Sequence, residues 1–213
     1  MGYQPTIHVN PHLQHQKKLG IALADGFQRH GITPIVTTDP RAKGDFHVVL
    51  GPWFALKEWR FDNTLYIDRA YWGDPDCVSV HWLSDGEKVR TRNNPFRGHP
   101  ELKPLKTGDR RVYLCDYGQE PSGHYHAVRY HPSDKPSRYT LDECFNTFDT
   151  AIGRRTTALV DAHIHGLGVE TDDHHSPVYG ITDREQWVID LAWHNWSHDE
   201  IQRGEMWNHI QSR

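Results

Sequence analysis

The sequence predicts an α/β protein made of two small lobes, each built around a mainly parallel sheet. Three observations carry this. Short β-like runs alternate with helical stretches along most of the 213 residues. The alternation occurs twice, on either side of a stretch at 85–109 that is rich in Gly, Pro, Asn and charge. Helix starts in the second half carry recognisable capping residues. Strands that alternate with helices pair in parallel and are covered by those helices. The expected division is a first lobe at 1–105 and a second at 106–213 that includes the C-terminal helices.

In the first lobe, Ile7-His8-Val9 is a short strand, and Leu13, Leu19, Leu23 and Phe27 then recur near helical spacing until Gly31. Strands follow at 34–38, 46–50 and 64–67, with Asp68 at the carboxyl end of the last, and an alternating strand at 77–83. Trp53 to Trp59 reads as a helical turn or two. In the second lobe, strands are expected at 111–115, 126–130, 149–152 and 169–171. Thr140 with Glu143 forms a capping box, Thr156 or Thr157 caps a helix stopped by Gly166, and Asp183 caps a further helical region through Trp187, Leu191 and Trp196. Ser197 with Glu200 is a second capping box before the last helix. The Trp-rich tail suits a buried helical face.

Composition narrows the function. Hydrophobic residues make up 36% of the chain, with 8 Trp and 9 Tyr, enough for a substantial core. A net charge of -4 excludes a generally basic nucleic-acid binder, so a polyanion would have to meet a local patch. Cys77, Cys115 and Cys144 fit no zinc spacing and are an odd number for a disulfide framework, which points to a reducing cytosolic setting. No run approaches the ~20 apolar residues of a membrane span, and the N-terminus lacks the basic start and apolar run of a signal peptide. The 17 histidines are scattered, so they belong to the protein itself.

Ligands of open parallel sheets bind outside the carboxyl ends of the strands. Four segments of the second lobe fall there: Asp116-Tyr117-Gly118-Gln119, Arg129-Tyr130-His131-Pro132, Arg154-Arg155-Thr156-Thr157, and His174 to Gly180 with Ser176 and Tyr179. A helix start offers free N–H groups, threonine hydroxyls add donors, and two arginines can pair with phosphate. Arg129 and His131 share a side of a strand by period-two alternation. The segment set therefore reads as a cradle for a phosphorylated ligand.

Several motifs here resemble a family. Val-Tyr-Leu-Cys-x-x-Gly-Gln, Val-Arg-Tyr-His-Pro, Thr-Leu-Asp-Glu-Cys and Asp-x-Ala-Ile-x-x-x-Thr-Thr-Ala-Leu-Val, in that order, are similar to the donor lobe of GT-B-type glycosyltransferases. With Leu65-Tyr66-Ile67-Asp68-Arg69-x-Tyr71-Trp72-Gly73 and the tail from Asp183 to Trp207, the chain resembles the small GT-B-like proteins encoded by tailed bacteriophages. The resemblance covers most of 46–210. It implies two Rossmann-like lobes and transfer of a sugar from a nucleotide-sugar co-substrate, UDP-linked, to a hydroxyl, without a metal or other cofactor. Gly118, Gln119, Arg129, His131, Arg154, Arg155, Thr156, Thr157, Ser176 and Tyr179 would then bind the donor. The base would come from the first lobe: Asp68 first, His12 second. Arg69, Tyr71, Arg90 and Arg92 would meet the acceptor, which the phage likeness suggests is hydroxymethylated pyrimidine in DNA, in the cytoplasm of an infected bacterium. The chain departs from the family in its short first lobe, in Arg154-Arg155, and in His163 and His165 within a helix that is usually apolar.

Two rivals have their own residues. Asp161-Ala-His163-Ile-His165 and Asp172-Asp173-His174-His175 offer ligands for a metal-dependent hydrolase. His-x-His converges on a strand but diverges on a helix, and here it lies in a helical pattern. The short first lobe also fits a phage protein that binds a nucleotide or nucleic acid without turnover, on a degenerate transferase scaffold. Nothing in the sequence sets an oligomeric state.

Overall fold

The fold comes from a computed structural model that describes residues 4–39, 41–50, 64–69, 77–82, 99–154, 156–174, 176–192 and 194–211. The chain divides into two compact units, Met1–Pro95 with Ala192–Arg213, and Phe96–Leu191. The tail therefore belongs with the first unit, where a division at 105/106 had put it in the second. The physical reason is a strand the sequence did not announce.

That strand is β10 (Asn195–Ser197). In the first unit, β1 (Pro5–His8), β2 (Ile35–Thr37), β3 (Phe46–Leu50) and β4 (Thr64–Arg69) pair in parallel, β5 (Cys77–Trp82) lies antiparallel on β4, and β10 antiparallel on β5. The order is β10-β5-β4-β3-β1-β2. The expected strands are present, but the sheet is mixed at the edge that β5 and β10 form. Asp68 lies inside β4, opposite Ser79, rather than beyond its end.

Ile7, Val48 and Leu65 are direct neighbours across three strands. They pack with Leu19, Leu23 and Phe27 of α1 (Gln14–Gln28) and with Ile201, Met206 and Trp207 from α5 (His198–Gln202) and α6 (Glu205–Gln211). Each such side chain contributes roughly 1.5–3 kcal/mol on burial. The Trp207 ring meets Phe27 edge-on at 4.6 Å. Trp196, expected in a helix, is buried in β10. Alternate positions of the same strands are polar yet buried: Thr6, His8, Thr64 and Ser79.

The second unit holds β6 (Arg111–Leu114), β7 (Ala127–Arg129), β8 (Thr150–Ile152) and β9 (Gly168–Glu170), all parallel, in the order β7-β6-β8-β9. α2 (Leu141–Thr147) begins on the expected capping box: Thr140 Oγ1 accepts from Glu143 N at 3.2 Å, and Glu143 Oε2 accepts from Thr140 N at 2.7 Å. α3 (Ala158–Ile164) follows β8, and α4 (Arg184–Ala192) starts where Asp183 Oδ1 accepts from Glu185 N and Gln186 N. The expected linker is structured over its described part, 99–109. Lys103 N donates to Ile164 O and Lys106 N to Gly166 O, so this segment covers the end of α3. Arg184 adds donors to Lys103 O and His163 O. No helix among the described residues is long and apolar enough to cross a membrane.

Candidate functional site

The order β7-β6-β8-β9 places a reversal between β6 and β8. The chain leaves β6 toward β7 on one side and leaves β8 toward β9 on the other. The loops diverge there, and open parallel sheets bind their ligands at such a point, outside the carboxyl ends of the strands. Gly153 ends β8 at this point because a side chain has no room: a Cβ would stand 2.7 Å from Leu114 O of β6.

The loop after β6 is Asp116–Gln119. Gly118 takes φ +69°, a left-handed conformation that glycine adopts at little cost. Gln119 spans the loop: its Oε1 accepts from Asp116 N at 3.0 Å and its Nε2 donates to Tyr113 Oη at 3.1 Å. Asp116 Oδ1 accepts from Tyr117 N at 2.8 Å, and Asp134 Oδ2 accepts from Gly118 N at 2.6 Å. The exposed Tyr117 ring meets His131 edge-on at 5.7 Å. Gly118, Gln119 and His131 are thus neighbours in one loop cluster.

Arg129 differs from the expectation. β7 stops at Arg129, so His131 lies in the following turn and the period-two argument for a shared side does not apply. Arg129 Nη1 donates to Tyr130 O, which turns the guanidinium onto its own backbone.

After β8, Arg154 is exposed, and its Nε pairs with Asp172 Oδ1 at 3.4 Å, while Thr171 Oγ1 donates to Arg154 O. Thr156 Oγ1 accepts from Ala158 N at 3.3 Å; Thr157 is the N-cap residue but makes no side-chain cap. The cap thus comes from Thr156, one residue early, because Thr157 already has helical backbone. Arg155 lies outside the described residues. After β9, Ser176 is buried with no partner for its Oγ among the described residues, and Tyr179 is exposed.

The acceptor-side expectations are less fully described. Tyr71, Arg90 and Arg92, the helical turn at 53–59, and the side chains of Asp68 and Arg69 lie outside the described residues. His12 is exposed in the turn after β1, its N–H bonded to Asn10 Oδ1 at 3.0 Å. Sequence reasoning passed over two residues nearby. Gln16 is buried and clamps the ends of β1 and β3: Nε2 donates to Leu50 O at 2.6 Å, and Oε1 accepts from Asn10 N at 2.9 Å. His8 Nε2 lies 3.0 Å from His47 Nδ1. Burial, helped by the neighbouring His47, lowers the His8 pKa to about 4, and burial lowers that of His47 as well. The alternation of His8 with Ile7 and Val9 on a buried strand was the signal that could have found it.

The histidines of the metal reading point apart. His163 Nδ1 bonds to Leu167 O at 3.0 Å and its ring meets Trp187, whereas His165 Nδ1 bonds to Asp161 O at 2.8 Å and stacks on Phe145. Each ring is committed to packing, as the helical spacing of α3 dictates. Among the described residues, no group of three or more His, Cys, Asp or Glu converges on one point. The Cys115 and Cys144 thiols are pushed up to about 11, chiefly by burial, which suits packing rather than nucleophilic chemistry.

Fold and site together define an α/β protein whose second unit leaves a switch point lined with backbone donors. No family model and no curated protein sequence matches the chain. Among solved structures, KpsC of Thermosulfurimonas dismutans, a beta Kdo 2,7 transferase, is similar over 99% of this chain and 100% of that chain, with 9% identity and a TM-score of 0.47.

Proposed function

We propose that the chain is a nucleotide-sugar-dependent glycosyltransferase of GT-B type, with the second unit binding the donor diphosphate and the first unit supplying the base and acceptor contacts. The observation that supports this best is the reversal between β6 and β8, flanked by the loops Asp116–Gln119 and Arg154–Thr157. In the reaction, a base takes the proton of the acceptor hydroxyl, the oxygen bonds to the anomeric carbon, and the nucleoside diphosphate leaves with the bonding electrons. Fixed amide donors and arginine charge beside the departing phosphate stabilise the charge that develops. Asp68 is the proposed base and His12 the second candidate. The donor is UDP-linked, no other cofactor takes part, and hydroxymethylated pyrimidine in DNA is the acceptor.

A second reading, nucleotide binding without turnover, is favoured by Gln16, which closes the corresponding strand ends of the first unit. One experiment separates the two. Hydroxymethylated DNA is incubated with the protein and a mixture of nucleotide sugars, and its nucleosides are weighed by mass spectrometry. Nucleosides heavier by one sugar support transfer, and Asp68→Asn should cut their yield on the order of 100-fold or more while donor affinity holds. Tight UDP binding with no transfer to any acceptor supports the second reading. No binding of any nucleotide sugar removes both.

A further inference from the structure

The loop after β6 already holds an anion, and that anion belongs to the protein. Three successive amides, Asp116 N, Tyr117 N and Gly118 N, each donate to a side-chain oxygen: Gln119 Oε1, Asp116 Oδ1 and Asp134 Oδ2. Consecutive N–H groups around a left-handed residue form a concavity that binds anions. The Gly118 to Asp134 contact, at 2.6 Å, is the shortest of the three, as expected for an N–H donating to a carboxylate.

The Asp134 carboxylate arrives from elsewhere in the chain. It sits in the turn after β7, where Asp134 N donates to His131 O at 2.9 Å and Ser133 N to His131 Nδ1 at 3.3 Å. Two further contacts lay this turn against the β6 loop: half-buried His131 against exposed Tyr117, and exposed Lys135 Nζ to Glu120 Oε1 at 2.7 Å. The ion pair lies in solvent, where screening weakens it, so it holds the turn only lightly. Asp116, Glu120 and Asp134 are also three carboxylates around one loop, with Lys135 paired to Glu120. An incoming phosphate meets both an occupied donor and a repelling charge.

We propose that Asp134 is an internal competitor for the phosphate of the donor: its carboxylate accepts from the Gly118 amide and must leave when a diphosphate binds there. This rests on the reading of the loop at the carboxyl end of β6 as a phosphate site. It makes the turn at 131–135 a gate that the ligand itself opens.

The test uses the full chain with two probes, inorganic pyrophosphate and UDP, and reads affinity by calorimetry and the backbone amide signals of residues 116–119 by NMR. Asp134→Ala should bind both probes roughly fivefold more tightly than the parent, since one nearby like charge is worth about 1 kcal/mol. Asp134→Asn, which keeps an acceptor for Gly118 without the charge, should fall between. In each case the Gly118 amide should move on binding. Equal affinity in parent and Asp134→Ala overturns the proposal, as does binding that leaves the Gly118 amide unmoved, or no binding by either form at millimolar probe. Tighter binding in Asp134→Ala without any sugar transfer would sustain the gate and remove the transferase reading. Sugar transfer with unchanged affinity would do the reverse.

Discussion

The two units share a strand plan and treat its weak point in opposite ways. In the first, β1 lies between β2 and β3; in the second, β6 lies between β7 and β8. Each therefore has a reversal where loops diverge beyond the strand ends. Each also has a glutamine beside it. Gln16 is buried, and its amide joins the ends of β1 and β3. Gln119 is half-buried and only steadies its own loop, accepting from Asp116 N, while the next two amides donate to the exposed carboxylates of Asp116 and Asp134. Closing a switch point with a side chain contributes stability. The difference is between a switch point tied by a buried amide and one bordered by an exposed loop.

The largest test of that contrast is acid. His8 is fully buried on the polar side of the first sheet, with its pKa lowered from 6.5 to about 4. The unfolded chain takes up a proton near 6.5 that the folded chain refuses until about 4, so falling pH favours unfolding. The contribution is complete above pH 6.5 and disappears as the pH falls toward 4, roughly 3 kcal/mol in all. Urea unfolding of the parent between pH 7.5 and pH 4.5 should show this loss, and His8→Gln should flatten the slope. His163 in the second unit, also lowered by burial, contributes in the same direction, so a shallower slope should remain. An unchanged slope in His8→Gln would mean that His8 is not the source of the acid sensitivity.

The glutamines give the next test. Gln16→Leu leaves Asn10 N and Leu50 O without the partner each now has, at a cost of about 2 kcal/mol. Gln119→Leu leaves Asp116 N in an exposed loop, where water replaces the lost acceptor, and should cost about 0.5 kcal/mol. Equal losses in thermal unfolding would erase the distinction between a sealed and an open switch point.

Local features of this fold were legible in the sequence. Thr140 with Glu143, Ser197 with Glu200, and Asp183 announced helix starts because a capping bond joins residues three apart or fewer. The strand-end loops of the second unit were legible because strand-helix alternation fixes where parallel strands end. Features set by long-range pairing were not. Asn195-Trp196-Ser197 is too short to show alternation, and its partner strand β5 lies far earlier in the chain, so the tail's place with the first unit is not legible in the sequence. Gln16 reads as one more polar residue of α1 until Leu50 O is placed beside it. Asp134 reads as a surface turn residue until the fold lays it on Gly118. The seven-residue α3 was legible as a helix, but not that Thr156 rather than Thr157 would cap it.

The smallest test concerns how each unit ends its helices. α1 runs fifteen residues, buries seven of them, and has no basic residue in its last turn. α2 runs seven and buries two, so packing contributes less and its end matters more. Lys106 lies there, Nζ donating to Phe148 O at 3.0 Å and to Phe145 O. Burial lowers the pKa of this amine, yet the contact satisfies carbonyls that no helical N–H reaches and places a cation at the negative end of the helix dipole. Lys106→Met keeps the aliphatic stem and removes the donors. It should cost about 1 kcal/mol. Amide exchange should quicken within 141–148 and leave 14–28 unchanged. If exchange rose equally in both helices, the second unit would not depend on its caps in the way its short elements imply.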